Sequence, residues 1–245
     1  MRKIWLQKIE LMNILLFSLP GSPVIYYGDE IGMGDNYYLG DRNGVRTPMQ
    51  WNNDRNAGFS SCNPQKLYLP LIIDPQYHFE HLTVENQEHS VSSLLWWMRM
   101  AVSVRQRYKA FGLGKITFLN PSNNKVLAFI REYKNEKILV VVNLSRFAQY
   151  VELNLAEYNG YTPVDLFSQN QFSPLRNDLY GLTLGRYGYF WLNLVMIEAK
   201  NLPIDQKHLV AFQLGDKWQD LLKGSHKVKF LQETLPGYIT GCRWF

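Results

Sequence analysis

Apolar residues recur along this chain with two different periods, and the period changes once. Over residues 4–19, Ile4, Ile9, Leu11, Met12, Leu15, Leu16 and Leu19 suit an amphipathic helix packed on a sheet. Residues 91–108 repeat the helical period. There Leu94, Leu95, Met98 and Val102 form one face, and Ser90 or Ser92 can cap the start. Arg99, Arg105 and Arg107 decorate the ends, and positive charge near the C-terminus suits the helix dipole. Gly112 and Gly114 end the helical region. From Lys115 the period becomes two. Residues 116–119, 126–132, 138–143, 150–155 and 188–194 are predicted strands separated by polar turns, with a hairpin loop at 133–136. Many short antiparallel strands imply a β-sandwich. Beyond about residue 197 the character changes again. Residues 207–213 read as a further strand, and 218–222 and 228–237 as short helices.

One stretch breaks both periods. Residues 24–27 (Val-Ile-Tyr-Tyr) follow Pro23 and end at Gly28. Four β-branched and aromatic residues in a row predict a buried strand of the parallel type, apolar on both faces. Asp29 and Glu30 then stand at its C-terminal end, where an α/β barrel carries its chemistry. Being adjacent, they point to opposite faces and do not form a facing carboxylate pair. Glu30 is expected to hydrogen-bond at the barrel rim and Asp29 to hold the following loop. That loop presents Asp35, Asp41, Arg42, Arg46, Gln50 and Trp51. Carboxylates, guanidinium groups and an aromatic suit a sugar, which offers hydroxyls and an apolar ring face. They equally suit a surface loop whose acids and arginines pair with one another. Residues 48–75, rich in Pro, Asn, Asp and Gly, read as an extended excursion.

Composition narrows the class. The 245 residues allow one large or two ordinary domains, and 46% hydrophobic with 19% charged residues is an ordered, globular balance. The net charge of +5 is spread without a Lys/Arg block, so nucleic acid is not an expected partner. Cys62 and Cys242 form no metal or redox spacing, which predicts free thiols in a reducing, cytoplasmic setting. The basic Met1-Arg2-Lys3 and the apolar run at 11–19 imitate a secretory signal. Lys8, Glu10, Asn13 and Ser18 interrupt the pattern, and the run is shorter than the ~20 residues that span a bilayer. A helix packed on a sheet is therefore expected, and no membrane partner.

Two strings carry a resemblance. They are Tyr26-Tyr27-Gly28-Asp29-Glu30-Ile31-Gly32-Met33-Gly34-Asp35-Asn36 and Asp41-Arg42-Asn43-Gly44-Val45-Arg46-Thr47-Pro48-Met49-Gln50-Trp51. Asn56-Ala57-Gly58-Phe59-Ser60 and Leu67-Tyr68-Leu69-Pro70 continue them. Together they resemble the α-amylase family of glycoside hydrolases, in the style of its trehalose synthases (maltose α-D-glucosyltransferases). The Arg-Thr-Pro-Met-Gln-Trp run alone is shared with oligo-1,6-glucosidases and sucrose isomerases. The resemblance implies an α/β plus all-β chain: the last piece of a (β/α)8 barrel over residues 1–110, an antiparallel β-sandwich over 111–197, and a short α/β tail over 198–245. In that frame, residues 4–19 are the seventh barrel helix, 21–30 the eighth strand and 91–108 the eighth helix. The tail is similar to the start of a maltokinase N-terminal cap.

The resemblance also implies what this stretch does not carry. Family members use a nucleophile Asp, an acid/base Glu and a stabilising Asp on the fourth, fifth and seventh strands, upstream of the resembling part. No Asn-His-Asp and no Gly-x-Arg-x-Asp occurs here, so no catalytic residue is assigned. The family's calcium ligands also lie upstream, and no metal or cofactor is expected. The five histidines show no metal spacing, and no nucleophile elbow or phosphate loop is present. Asp41, Arg42 and Arg46 are the candidate contacts to the second glucose of maltose, and Arg46 tying the loop to a barrel carboxylate is the structural alternative. Asp29 and Glu30 are assigned structural roles at the barrel mouth. Expected partners are maltose or trehalose in the complete enzyme, an N-terminal barrel half, and a fused maltokinase. A non-catalytic carbohydrate-binding or assembly subunit and a piece of an α-glucosidase hydrolase remain as alternatives. Residues 1–110 are expected to be poorly stabilised alone, with the sandwich keeping its own core.

Overall fold

The computed structural model describes residues 2–196, 222 and 224–235. The chain divides into two compact units, Met1–Ile197 and Glu198–Phe245. In the first unit, helix α1 (Arg2–Ser18) buries Leu11, Ile14 and Phe17. A short helix α2 (Val84–Glu88) precedes α3 (Leu94–Arg107), and α4 (Lys109–Leu113) follows. Ser93, one residue beyond the predicted caps, accepts the N–H of Trp96. Met98, Ala101 and Val104 bring α3 onto the same core as α1, and Val102 is only half-buried.

Seven strands follow: β1 (Lys115–Phe118), β2 (Val126–Tyr133), β3 (Glu136–Asn143), β4 (Gln149–Asn154), β5 (Tyr161–Asp165), β6 (Leu179–Leu184) and β7 (Tyr189–Met196). A five-stranded sheet runs β1-β2-β3-β7-β5, antiparallel throughout, and β4 pairs with β6 in a second sheet. The predicted hairpin is a two-residue turn with Lys134 left-handed at φ 52° and Tyr133 opposite Glu136. β5 and β6 escape the alternation rule. Pro163 sits in β5, where an edge strand tolerates a missing N–H, and Gly181 dilutes β6.

The large sheet is a middle layer. Period two sends Phe129, Ile138, Val140, Val142 and Trp191 towards the helices. It sends Ala128, Ile130, Leu139, Val141, Leu192 and Leu194 towards Val151, Leu153, Leu182 and Leu184 of the small sheet. The sandwich keeps one core to itself, between its two sheets, as expected, and shares the second with α1, α3 and α4, which the sequence did not show. Each buried Val, Leu, Ile or Phe at this contact contributes roughly 1.5–3 kcal/mol.

A correction concerns residues 24–27, which form no strand. Residues 24–26 take no regular structure, Tyr27 begins a turn, and Val24 is 81% exposed. β-branched residues favour a strand only where a neighbour supplies the ladder, and no described strand lies alongside. In the second unit, α5 (Gly224–Lys229) continues into a π-helical turn, Phe230–Thr234, within the predicted helix 228–237. The predicted strand 207–213 lies outside the described residues, as does the helix 218–222 except for Leu222.

The contact between helices and sheet depends on Arg131, wholly buried on β2. Its guanidinium donates to Ser18 O at 2.8 Å, Phe111 O at 2.8 Å and Gly114 O at 2.9 Å. Arg105 adds bonds to Phe17 O and Gly21 O. Burial lowers the pKa of both arginines, and for Arg131 the Arg105 charge adds to the effect. Replacing Arg131→Ala strands three carbonyls beside a cavity. Urea denaturation should show a loss of about 3–5 kcal/mol, whereas Arg146→Ala on the surface should cost under about 0.5 kcal/mol.

Candidate functional site

The segment between α1 and α2 carries the predicted chemistry, and tight turns shape it. Gly28 has φ 94°, and a Cβ there would lie 2.7 Å from Met33 Sδ. Asp29 accepts the Tyr26 N–H at 2.9 Å, and Glu30 accepts the Gly28 N–H at 2.8 Å. Both carboxylates therefore fold back on their own turn. Asp29 holds the residues before it rather than the loop after it.

Two 3-10 turns, Tyr37–Leu39 and Asp41–Val45, come next. Gly44 is buried where a Cβ would collide with Asp35 Oδ1, and its carbonyl accepts the Asn36 N–H at 3.1 Å. That contact closes the loop and exposes its tip, with Asp41 left-handed at φ 44° and Arg42 beside it. The backbone then turns inward over the buried Thr47-Pro48-Met49-Gln50. Met49 joins Ile31 and Leu95 in a small core of its own. The Tyr27 hydroxyl donates to Thr47 O at 2.9 Å and so ties the two strings together. Burial and the neighbouring Tyr26 raise the Tyr27 pKa, and the Arg46 charge works in the opposite direction.

A cleft of about 110 Å³ results, lined by Tyr27, Arg46, Thr47, Phe59, Leu67 and Tyr68 among others. The structure thus brings Arg46 into a cleft with Tyr27 and the excursion. Asp41 and Arg42 stand on the outer turn and do not line it. None of these three side chains forms an ion pair among the described residues. A larger groove of about 480 Å³ lies between Trp5, Ile31, His81, Gln87 and Ser93, and contains none of the predicted residues.

This geometry has relatives. Residues 1–114 match the catalytic domain of α-amylases, and residues 116–191 match the C-terminal domain of maltogenic amylases. The trehalose synthase of Pimelobacter sp. (strain R48) is 49% identical over 201 residues, which cover 80% of this chain and 35% of that protein. The trehalose synthase/amylase TreS of Mycobacterium tuberculosis (strain CDC 1551 / Oshkosh) is 48% identical over 199 residues, covering 80% of this chain and 33% of that one. The chain belongs to the α-amylase family. It spans about a third of the length of the curated relatives it matches. Isomaltulose synthase from Klebsiella sp. LX3 shares the fold, with a TM-score of 0.59 at 21% identity over 77% of this chain and 38% of that one. In α-amylase terms, the chain holds the last piece of the barrel and the antiparallel sandwich behind it.

Within this family member, the scaffold of the cleft rests on Gln50, which the sequence placed on a presenting loop and which is in fact buried, and on Asn56, to which sequence reasoning gave no role. Gln50 donates to Tyr77 O at 3.1 Å and Leu82 O at 2.7 Å, binding the inner string to the far end of the excursion. Asn56 donates to Ser60 O at 2.8 Å and Cys62 O at 2.9 Å. Asn56 and Ala57 are both left-handed, at φ 56° and 55°. The Asn-Ala-Gly sequence hints at this, since Asn and Gly tolerate that region, but Ala57 gives no warning. Thr47 Oγ1, Gln50 Oε1 and Asn56 Oδ1 are buried without a partner. No group of three or more His, Cys, Asp or Glu side chains gathers among the described residues.

The amides of Trp51 and Asn52 both donate to Ala57 O, at 2.9 and 3.2 Å. Asn56→Ala removes the two bonds that hold the left-handed turn. It should weaken that turn locally by about 2 kcal/mol, speeding exchange of those two amides about thirtyfold while leaving β3 amides unchanged.

Proposed function

We propose that this chain is the C-terminal part of an enzyme that interconverts maltose and trehalose by intramolecular glucosyl transfer. Near-50% identity to trehalose synthases over 80% of the chain supports the reading. The observation that carries it is Arg46, a guanidinium without an acid partner on the wall of a cleft faced by Tyr27, Phe59 and Tyr68. Such a cleft presents charged donors to hydroxyls and aromatic carbon to a ring face.

In the complete enzyme a carboxylate nucleophile attacks the anomeric carbon of maltose, and the α-1,4 bond breaks. The leaving oxygen is protonated, and free glucose remains beside a glucosyl-enzyme. The freed glucose turns, and its anomeric hydroxyl, giving its proton to the acid/base carboxylate, attacks the same carbon and displaces the nucleophile carboxylate to give an α,α-1,1 link. Water must be excluded during that interval, or hydrolysis wins. Arg46 holds the second glucose by donating to its hydroxyls, with Asp41 and Arg42 as outer contacts. The excursion carrying Phe59 and Tyr68 narrows the space that water could use. The barrel strands absent from this stretch pair along residues 24–27, and the tail beyond residue 197 begins a maltokinase-like cap. The three carboxylates have no counterpart here, so this chain alone performs no step of the transfer.

Incubating the purified chain with maltose should therefore give no trehalose above background. A chimera tests the site directly, with this chain replacing the matching part of the Pimelobacter enzyme. There Arg46→Ala should raise KM for maltose about 10–100-fold, the loss of one or two charge-assisted hydrogen bonds, and Arg46→Lys should recover part of it. An unchanged KM would mean that Arg46 only ties the loop.

A further inference from the structure

The small sheet has an inner and an outer face. Val151, Leu153, Leu182 and Leu184 fill the inner one. The register places Tyr150 opposite Thr183, Glu152 opposite Gly181 and Asn154 opposite Leu179 on the outer one. Tyr150 is 57% exposed and Leu179 61%. The Tyr150 ring reaches across to β6 and lies over Gly181. A Cβ at Gly181 would sit 2.5 Å from the Tyr150 hydroxyl and 3.1 Å from its nearest ring carbons. Glycine at this point is what lets the ring lie down. The hydroxyl donates to Glu152 Oε1 at 3.0 Å and fixes the ring's rotation. The loop between β1 and β2 braces the same strand, with Asn123 Nδ2 donating to Tyr150 O at 3.0 Å and Ser122 Oγ accepting the Glu152 N–H at 3.0 Å. The phenol stays protonated well into alkaline solution, because the Glu152 contact raises its pKa.

A flat aromatic ring is thus held rigidly, one side on glycine and the other open. The Glu152 carboxylate holds its hydroxyl, Thr183 is the cross-strand partner of Tyr150, and Asn154 with Leu179 forms the next exposed pair beyond Glu152 and Gly181. An ordinary docking surface for protein would be broader and more apolar. The apolar C–H face of a pyranose fits the ring, and its equatorial hydroxyls fit the carboxylate, hydroxyl and amide. The face lies across the large sheet from the helices and is separate from the Arg46 cleft. We propose that this outer face, centred on Tyr150, binds the pyranose rings of a neutral saccharide chain.

Titration calorimetry of the full chain with maltoheptaose and, separately, cellohexaose tests this and distinguishes an α-linked from a β-linked ligand. Binding of either in the millimolar range, weakened at least about tenfold by Tyr150→Ala and largely kept by Tyr150→Phe, is the expected result. Arg46→Ala should leave it unchanged, which separates this site from the proposed maltose contact. The thermal midpoint of Tyr150→Ala should stay close to the parent, so that lost binding does not reflect unfolding. No binding of either saccharide at tens of millimolar, or equal binding by Tyr150→Ala, overturns the proposal. So does sedimentation showing a dimer that Tyr150→Ala dissociates, because the face would then be an interface between copies.

Discussion

A cation without a carboxylate holds this structure together. Arg131 is taken out of water, and only backbone carbonyls compensate it: Ser18 at the end of α1, and Phe111 and Gly114 around the end of α4. The last carbonyls of a helix have no partner within it, and their dipoles gather partial negative charge. Two such ends converge on one planar guanidinium, which stays charged despite the lowered pKa. Desolvation is offset because the same group satisfies several orphan acceptors. Lysine, with a point charge and a shorter reach, would not span them. The nearby Arg105 repeats the device on Phe17 and Gly21 at the cost of mutual repulsion.

The consequence is a family boundary without a boundary in the core. The catalytic-domain match ends at residue 114 and the C-terminal match begins at 116. Across that point, Trp191 of β7 packs on Phe111 at 4.4 Å and donates to Ser18 Oγ at 2.7 Å. Tyr189 bonds Trp97 at 2.6 Å and reaches Glu10 at 3.4 Å, joining β7 to α3 and α1. Burial raises the Glu10 pKa in return. Independent domains each keep their own core, whereas here one apolar core takes residues from both sides of that point. The helices are therefore held by the sheet, and the sheet is covered on that side only because the helices are there.

This mutual burial explains what the sequence could disclose. Both long helices follow from one buried face, whereas β2, β3 and β7, buried on both faces, follow as short runs rich in β-branched and aromatic residues. β5 and β6 hide behind Pro163 and Gly181, residues tolerable only at particular sheet positions that topology defines. Residues 24–27 mislead in the opposite direction, since a pattern apolar on both faces predicts a strand but cannot supply its neighbours. Arg131 reads as one polar residue in Ala-Phe-Ile-Arg-Glu-Tyr, and nothing local says it points inward. In the candidate site, Arg46 was legible through its motif. Its separation from Asp41 and Arg42 was not, because that depends on Gly44 closing a loop against Asp35. The role of Asn56 depends on a left-handed backbone, which sequence only permits.

Satisfaction of polar groups is unevenly distributed, and the unevenness is informative. Among the described residues, three of the four buried side-chain atoms without partners belong to Thr47, Gln50 and Asn56, all between α1 and α2. Each unfilled hydrogen bond costs about 1–3 kcal/mol. The same segment holds three of the six described left-handed residues other than glycine, Asp41, Asn56 and Ala57. It also exposes Val24, Tyr37, Tyr38, Phe59 and Tyr68. Among the described residues of the two large cores, Arg131 Nε is the one buried side-chain polar atom without a partner. A chain this marginal in energy keeps such costs only where other atoms complete them or where chemistry requires them. Local geometry here is fixed by Tyr27–Thr47, Gln50–Tyr77 and Gln87–Ile31 bonds beside only a small apolar core of Ile31, Met49 and Leu95. Directional bonds hold a side chain such as Arg46 in place without filling the space in front of it, and an open cleft needs that property.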